Sequence, residues 1–437
     1  MDSPANPDAQ SGQPAAPTPL AHGAADTLGQ ARIRVVYSAL RALSHRNYRL
    51  FFGGQLVSLI GTWMQTVAQS WLVYRLTHSE LLLGLVGFSS YIPVFLLATL
   101  GGTVADRGDR RRILVTTQSL AMLQAFILAG LTLTGTVQVW HIFLLASCLG
   151  LVNAFDIPAR QAFSVEMVGR ADLQNAIALN SSIFNGARMV GPAVAGVMIA
   201  WLGEGWCFFV NGASYLAVIA GLIAMRVGPH ERGLTAGILA HVTEGLRFVG
   251  HTPPVRVILL MLAMVSLVGM PYTVLMPVFA ASVLKTGPSG LGWLMSSAGV
   301  GALGAAVTLA LRREVRGLER WVARASLGFG AALVAFSTSR WMALSMVLLV
   351  AVGYCMMLQM ASSNTLVQHM VPDRLRGRVM AVYSMMFMGM SPFGALLAGA
   401  LAHRIGAPAT VALGGCVCMA GSLALRGRLS TVREALV

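Results

Sequence analysis

Asp106 stands among four arginines, Arg107, Arg110, Arg111 and Arg112, in a turn that separates two long apolar runs. Carboxylates and guanidiniums at that spacing make ion pairs and charge-assisted hydrogen bonds rather than covalent chemistry. Arginines alone would serve as a topology signal, but such a signal needs no Asp. The acid therefore points to an ion-pair latch in a moving part. Asp106 ends one apolar run, near where another helix can present the N–H groups of its first turn, which attract a carboxylate. Other polar groups lie within the apolar runs. Gln55, Ser58, Thr62, Gln65 and Gln69 recur at steps of 3, 4, 3 and 4, so they share one helical stripe. That stripe is costly in lipid and must face a partner helix or a watered cavity; cavity lining is the expectation. Ser181, Asn185 and Arg188 share a face of a later run. Arg188 is the one charge expected well inside a span, roughly 21 Å along the helix from Gln174. A charge at that depth is a candidate contact for a substrate, its structural alternative being a tie to backbone carbonyls or to the polar stripe.

Enzyme chemistry has no seat in this chain. No inward-facing acid, base or metal cluster stands out, because the nine histidines lie in the tail, loops or span ends. The five cysteines (Cys148, Cys207, Cys355, Cys416 and Cys418) fall in apolar runs and read as small apolar fillers. Gly299 to Gly304 matches a dinucleotide fingerprint by letters but lies inside an apolar span with no strand before it. A nucleotide-binding phosphate loop needs a lysine after glycine, and Lys285, the one lysine, follows Leu284. No metal and no cofactor are expected.

The elements that position these residues are membrane spans. Of 437 residues 56% are hydrophobic and 11% charged, with a mean hydropathy of +0.70. A soluble domain cannot hide that much apolar surface, so a lipid bilayer is the solvent for much of it. The net charge of +15 would suit nucleic acid only if it were gathered on one soluble face. Scattered in short arginine clusters between apolar runs, it fits membrane topology, and no nucleic-acid partner is expected. Residues 1–30, rich in Ala, Pro, Ser and Gly, read as a disordered tail without the pattern of a cleaved signal peptide.

After an amphipathic lead-in from Val35 to Tyr48, spans are predicted near 49–74, 81–104, 113–135, 139–158, 174–202 and 205–226. A second set lies near 256–283, 289–311, 319–337, 340–363, 377–402 and 407–425. The predicted inner loops hold Arg107 and Arg110 to Arg112; Arg160 and Arg170; Arg226, Arg232, Arg247 and Arg256; Arg312, Arg313, Arg316 and Arg320; and Arg374, Arg376 and Arg378. The outer loops hold only Arg75, Lys285, Arg340 and Arg404. This alternation survives all twelve spans and places both termini in the cytoplasm of a cell whose inner or plasma membrane the chain crosses.

The two sets also resemble each other. A shift of 203 sets Val168 on Val371, Ser181 on Ser384, Phe184 on Phe387, Gly196 on Gly399 and Gly203 on Gly406, and in the same register Gly101 on Gly304 and Arg110 on Arg313. The expected fold is an all-α integral membrane protein of two parallel six-helix repeats. Its parts are a cytoplasmic tail and lead-in (1–44), a first bundle (45–226), a cytoplasmic linker (227–255), a second bundle (256–428) and a short tail (429–437).

Over residues 45–428 these features resemble the major facilitator superfamily. Gly102, Asp106, Arg107, Arg110 and Arg111 match its loop between helices 2 and 3, with Asp109 standing where the pattern has its second Gly. Ala187-x-x-x-Gly191-Pro192-x-x-Ala195-Gly196 is similar to its fifth-helix antiporter motif, with Ala replacing two glycines. Phe155 to Gln161 and Val371 to Val379 resemble the drug-efflux branch that includes enterobactin and macrolide exporters. The resemblance implies that Asp106 meets the start of helix 11, near Arg378, and that Arg110 pairs with Asp156 at the inner end of helix 4, close to Arg160. Such a clamp would favour the outward-open state and break as the halves rock. Gly191 and Pro192 allow a bend, and Gly186, Gly191 and Gly196 permit close helix contact, so packing and an antiport role both stay open there.

The expected function is secondary export of a small amphiphilic molecule, drug or siderophore-like, by alternating access and as a monomer. Protons are the expected counter-ion on the resemblance alone, because no Asp or Glu is predicted mid-span and Asp156 lies at the inner edge of its helix. A transporter-like sensor or scaffold without flux, and an importer of a small metabolite, are the alternatives. The repeat makes the latch asymmetric, since Leu309 stands where the first half has Asp106.

Overall fold

The computed structural model describes residues 41–226, 238–312 and 317–426. Arg232, Arg313, Arg316 and most of both tails lie outside the described residues. Among those described there are helices and no strands. The first group is α1 (Arg46–Thr77), α2 (Glu80–Arg107), α3 (Arg110–Leu133), α4 (Val139–Gly169), α5 (Ala171–Leu202) and α6 (Glu204–Ala224). A shorter α7 (Ile238–His251) follows. The second group is α8 (Pro253–Val283), α9 (Gly287–Leu311), α10 (Leu318–Thr338), α11 (Met342–Met370), α12 (Asp373–Ile405) and α13 (Ala407–Arg426). Eleven of these are long and apolar enough to cross a bilayer. With 32 residues α1 has the length, and its polar stripe is what separates it from the other eleven.

Local chemistry sets the breaks. Asp109 caps α3, its carboxylate accepting from the Arg112 amide at 3.1 Å. The residue that departs from the family pattern is thus a helix cap. Gly203 (φ 87°) and Gly406 (φ 84°) make the same left-handed turn after α5 and α12, at positions that the 203-residue shift superposes. Prolines interrupt α8, whose middle passes through short π and 3-10 turns around Pro271 and Pro277.

One boundary differs from expectation. The sequence places the end of the fourth span at Pro158, whereas α4 continues to Gly169. A proline removes one N–H, but inside a bundle neighbouring groups take up the freed carbonyl and the helix persists. The left-handed backbone of Gly169 (φ 70°) ends it instead.

Within the first group α1 packs against α5 and α6, and α3 against α4 and α6. In the second, α11 packs between α9 and α10, and α10 also lies on α13. Across the groups α2 meets the second part of α12, and α5 meets α9. The polar lead-in ends on α5: Arg41 and His45 both bind Asp172 at 2.9 Å, and the Ala42 amide donates to Asn175.

Candidate functional site

Two glycine pairs bring the halves together. A Cβ on Gly196 would sit 3.0 Å from the Gly292 Cα, and one on Gly399 would sit 2.7 Å from the Gly84 Cα. Gly196 and Gly399 are repeat equivalents, so each half offers the same glycine to the other. Pro192 adds its carbonyl, 2.5 Å from where a Gly292 Cβ would be, while Gly191 faces Trp63 of α1 within its own half. Tyr74 and Ser282 share a hydrogen bond of 2.7 Å nearby. Apart from the mid-helix contact of Gly191 with Trp63, these lie towards the end of the molecule remote from the arginine-rich loops. Towards those loops the contacts run down to Phe95 against Phe393, with ring centroids 5.5 Å apart, and to Gly299 against Met189. Beyond them, among the described residues, the first part of α12 makes no extensive contact with the first half. A Cβ on Gly102 or on Gly186 would meet nothing within 4 Å. Gly186 therefore does not serve the close contact expected of it.

The Asp-Arg turn is held within its own half. Arg110 donates to Glu166 at 2.7 Å and to the Ala105 carbonyl, and lies 3.9 Å from Asp106. Arg111 donates to the carbonyls of Leu222 and Ile223, closing the end of α6 at 2.7 and 2.6 Å. Arg107 ends α2 in an exposed position. The start of α12 is occupied by the linker: Arg378 pairs with Glu244 of α7, and Gly245 lies against the Arg378 carbonyl.

Asp156 is not the partner of Arg110. Because α4 runs on to Gly169, Glu166 occupies the helix end and Asp156 lies mid-helix, about 20 Å from Gly169. It is 1% exposed and binds Arg160, Thr117 at 2.8 Å and Gln118 at 2.7 Å. Arg160 reaches on to Gln55 of α1. Arg160, expected in an inner loop, thus lies within a helix long and apolar enough to span, as Arg188 does. A buried pair with its lone pairs occupied is rigid, and losing either partner leaves an uncompensated charge.

The polar stripe of α1 is turned mainly towards partner helices, which corrects the cavity expectation at its buried positions. Gln65 donates to Gln124 of α3 at 3.1 Å and accepts from Asn211 of α6 at 2.7 Å. Gln55 and Ser58 are buried, and the Thr62 hydroxyl bonds the Ser58 carbonyl. Thr62 and Gln69 are half-buried. Asn185 is buried and turns its amide back to the Ser181 carbonyl at 2.8 Å. Arg188 stands at the junction of the halves, its guanidinium 5.7 Å over the Trp63 ring and 3.9 Å from the Met356 sulfur.

Sequence reasoning missed Glu166, Glu244, Gly84 and Gly292. The only available signal was for Gly292, which follows the small residues Gly287, Ser289 and Gly290.

A family described as transmembrane secretion effector matches residues 37–435. The multidrug efflux pump Tap of Mycolicibacterium fortuitum is 29% identical over 364 residues, 80% of this chain and 88% of that protein. The staphyloferrin A transporter of Staphylococcus aureus is 24% identical over 376 residues, 85% and 94% of the two chains. Among solved structures, a variant of the peptide transporter POT superposes with a TM-score of 0.71 at 12% identity, covering 88% of this chain and 95% of that one, which shows the shared fold.

Proposed function

Starting from a chain that belongs to the transmembrane secretion effector family of the major facilitator superfamily, and so from a secondary transporter that exports small molecules, we propose that it takes an amphiphilic cargo from the cytoplasm by rocking two six-helix halves. The observation that carries this reading is the one-sided junction: glycine pairs close one end while Gly102 faces open space at the other. The positive-inside rule assigns the open, arginine-rich end to the cytoplasm of an inner or plasma membrane, with both termini there. The cargo class, drug or siderophore-like, is drawn from the relatives, an efflux pump and a siderophore transporter. The monomer suffices for this cycle, because both halves of the junction come from one chain.

Asp156 is the coupling carboxylate in this reading. Among the described residues it is the acid farthest from a helix end, and its partner Arg160 would hold the site when a proton neutralises it. Proteoliposomes loaded with a fluorescent amphiphile test both parts. Efflux is expected with the protein and to accelerate under an opposing proton gradient. Efflux that ignores the gradient would remove the antiport, and none at all across a dye panel would remove the transporter reading.

The Asp106 turn acts as a latch for the opposite state, docking on the start of α12 when the cytoplasmic end closes. In the open state Glu244 of the linker pairs with Arg378 there. Asp106→Asn is expected to enrich the cytoplasm-open form. In a background whose five cysteines are replaced, Gly102→Cys should then label several-fold faster from the cytoplasmic side. Unchanged labelling would sink the latch.

A further inference from the structure

Arg188 lacks an anion. Its guanidinium lies where both halves meet, with α1 contributing Trp63 at 5.7 Å and α11 contributing Met356 at 3.9 Å. Its backbone abuts Gly299 of α9. Among the described residues no carboxylate lies within ion-pair distance of it. Two other arginines of the first half are paired: Arg160 has Asp156 and Arg75 has Glu204 at 2.7 Å. The ring face of Trp63 offsets part of the charge, and a sulfur contributes little more. An unpaired cation inside a bilayer is costly and persists where something else supplies the counter-charge.

A second group points the same way. The Tyr272 side chain, from α8 in the other half, is 3% exposed, and its hydroxyl makes no well-formed hydrogen bond although the Arg188 guanidinium lies close enough to interact with it. Tyr272 lies within the electrostatic reach of Arg188, as does Tyr91 of α2. A buried hydroxyl without a well-formed hydrogen bond costs free energy until a ligand satisfies it. A planar guanidinium and a phenol are complementary to a carboxylate, which accepts from both.

We propose that Arg188, with the Tyr272 hydroxyl, receives the anionic group of the cargo, so that carboxylate-bearing amphiphiles are the substrate class. This rests on the export reading and adds the charge of what is exported. The apolar body of such a molecule would lie against Trp63 and Met356. Because Arg188 and Tyr272 belong to different halves, a bound carboxylate also ties the two together.

Proteoliposomes carrying wild type, Arg188→Gln, Arg188→Lys or Tyr272→Phe, each loaded with carboxyfluorescein or with ethidium, test the assignment. Wild type is expected to export carboxyfluorescein. Arg188→Gln is expected to lower the ratio of carboxyfluorescein to ethidium export about tenfold or more, as for truncation of a buried charge partner. Arg188→Lys, which keeps the charge, restores most of that ratio, and Tyr272→Phe lowers it several-fold. An Arg188→Gln ratio equal to wild type would overturn the proposal, as would equal losses for both dyes with no rescue by Arg188→Lys. Wild type exporting ethidium alone defeats the anion assignment and leaves export standing. Export of neither dye defeats the export reading and the assignment with it.

Discussion

Gly399→Leu and Gly196→Leu are each expected to abolish most export while leaving the protein folded and inserted. The backbones meet so closely at these glycines that any side chain collides with the partner helix, 2.7 Å from Gly84 or 3.0 Å from Gly292. Relief requires the outer ends to separate, and separation is the other state of the cycle. The overlap therefore penalises one state only. Overpacking of this kind costs about 1–3 kcal/mol, which shifts a two-state equilibrium roughly 5–150-fold. The measurement pairs efflux rates with labelling of single cysteines from each side of the membrane. Gly186→Leu is the control, because its side chain would enter open space in the state shown. Equivalent losses at 196 and 399, with little at 186, would show that the two repeats close the outer end together. Normal efflux in either leucine variant would remove that glycine from the closure.

The second large effect concerns the buried pair. Asp156→Asn and Arg160→Gln are each expected to destabilise the first half by about 3–5 kcal/mol, because each leaves the partner as an uncompensated buried charge. The double variant is expected to recover most of the loss, since amides can remain hydrogen-bonded to Thr117, Gln118 and Gln55. Thermal unfolding in detergent, read by a fluorogenic thiol reagent at the buried Cys207 and Cys418, gives the comparison. Single-variant midpoints equal to wild type would mean that the pair does not brace the half. A double variant as unstable as the worse single one would place the stability in the hydrogen bonds to neighbours instead.

Topology was legible because the bilayer makes charge placement a matter of composition. Arg107 to Arg112 and Arg374 to Arg378 announce their side without any knowledge of packing. The repeat was legible too, and Gly196 with Gly399, and Gly203 with Gly406, do matching work in the two halves. The partners of those residues were not legible. Whether Arg110 meets Asp156 or Glu166 depends on where α4 stops, and Pro158 gives a stop signal that a bundle overrides. The stripe of α1 shows the same limit. Its period identifies one face, yet whether that face meets water or Gln124 and Asn211 is decided by helices far away in the chain. Contacts between halves are harder still, since Gly84 and Gly399 belong to different repeats and nothing local to either glycine names the other.

That dependence on distant helices has a consequence for how the protein is made. Gln65 waits 59 residues for Gln124 and 146 for Asn211, and Gln55 waits 105 for Arg160. At ~5–20 residues per second, the longest of these waits lasts roughly 7–30 s. Over that interval α1 is a polar helix beside the translocation machinery, without the groups that later neutralise it. Its residence in the membrane is therefore settled by the arrival of α6 rather than at its own synthesis, and a ribosome stalled before Asn211 would leave the first span the least committed of all.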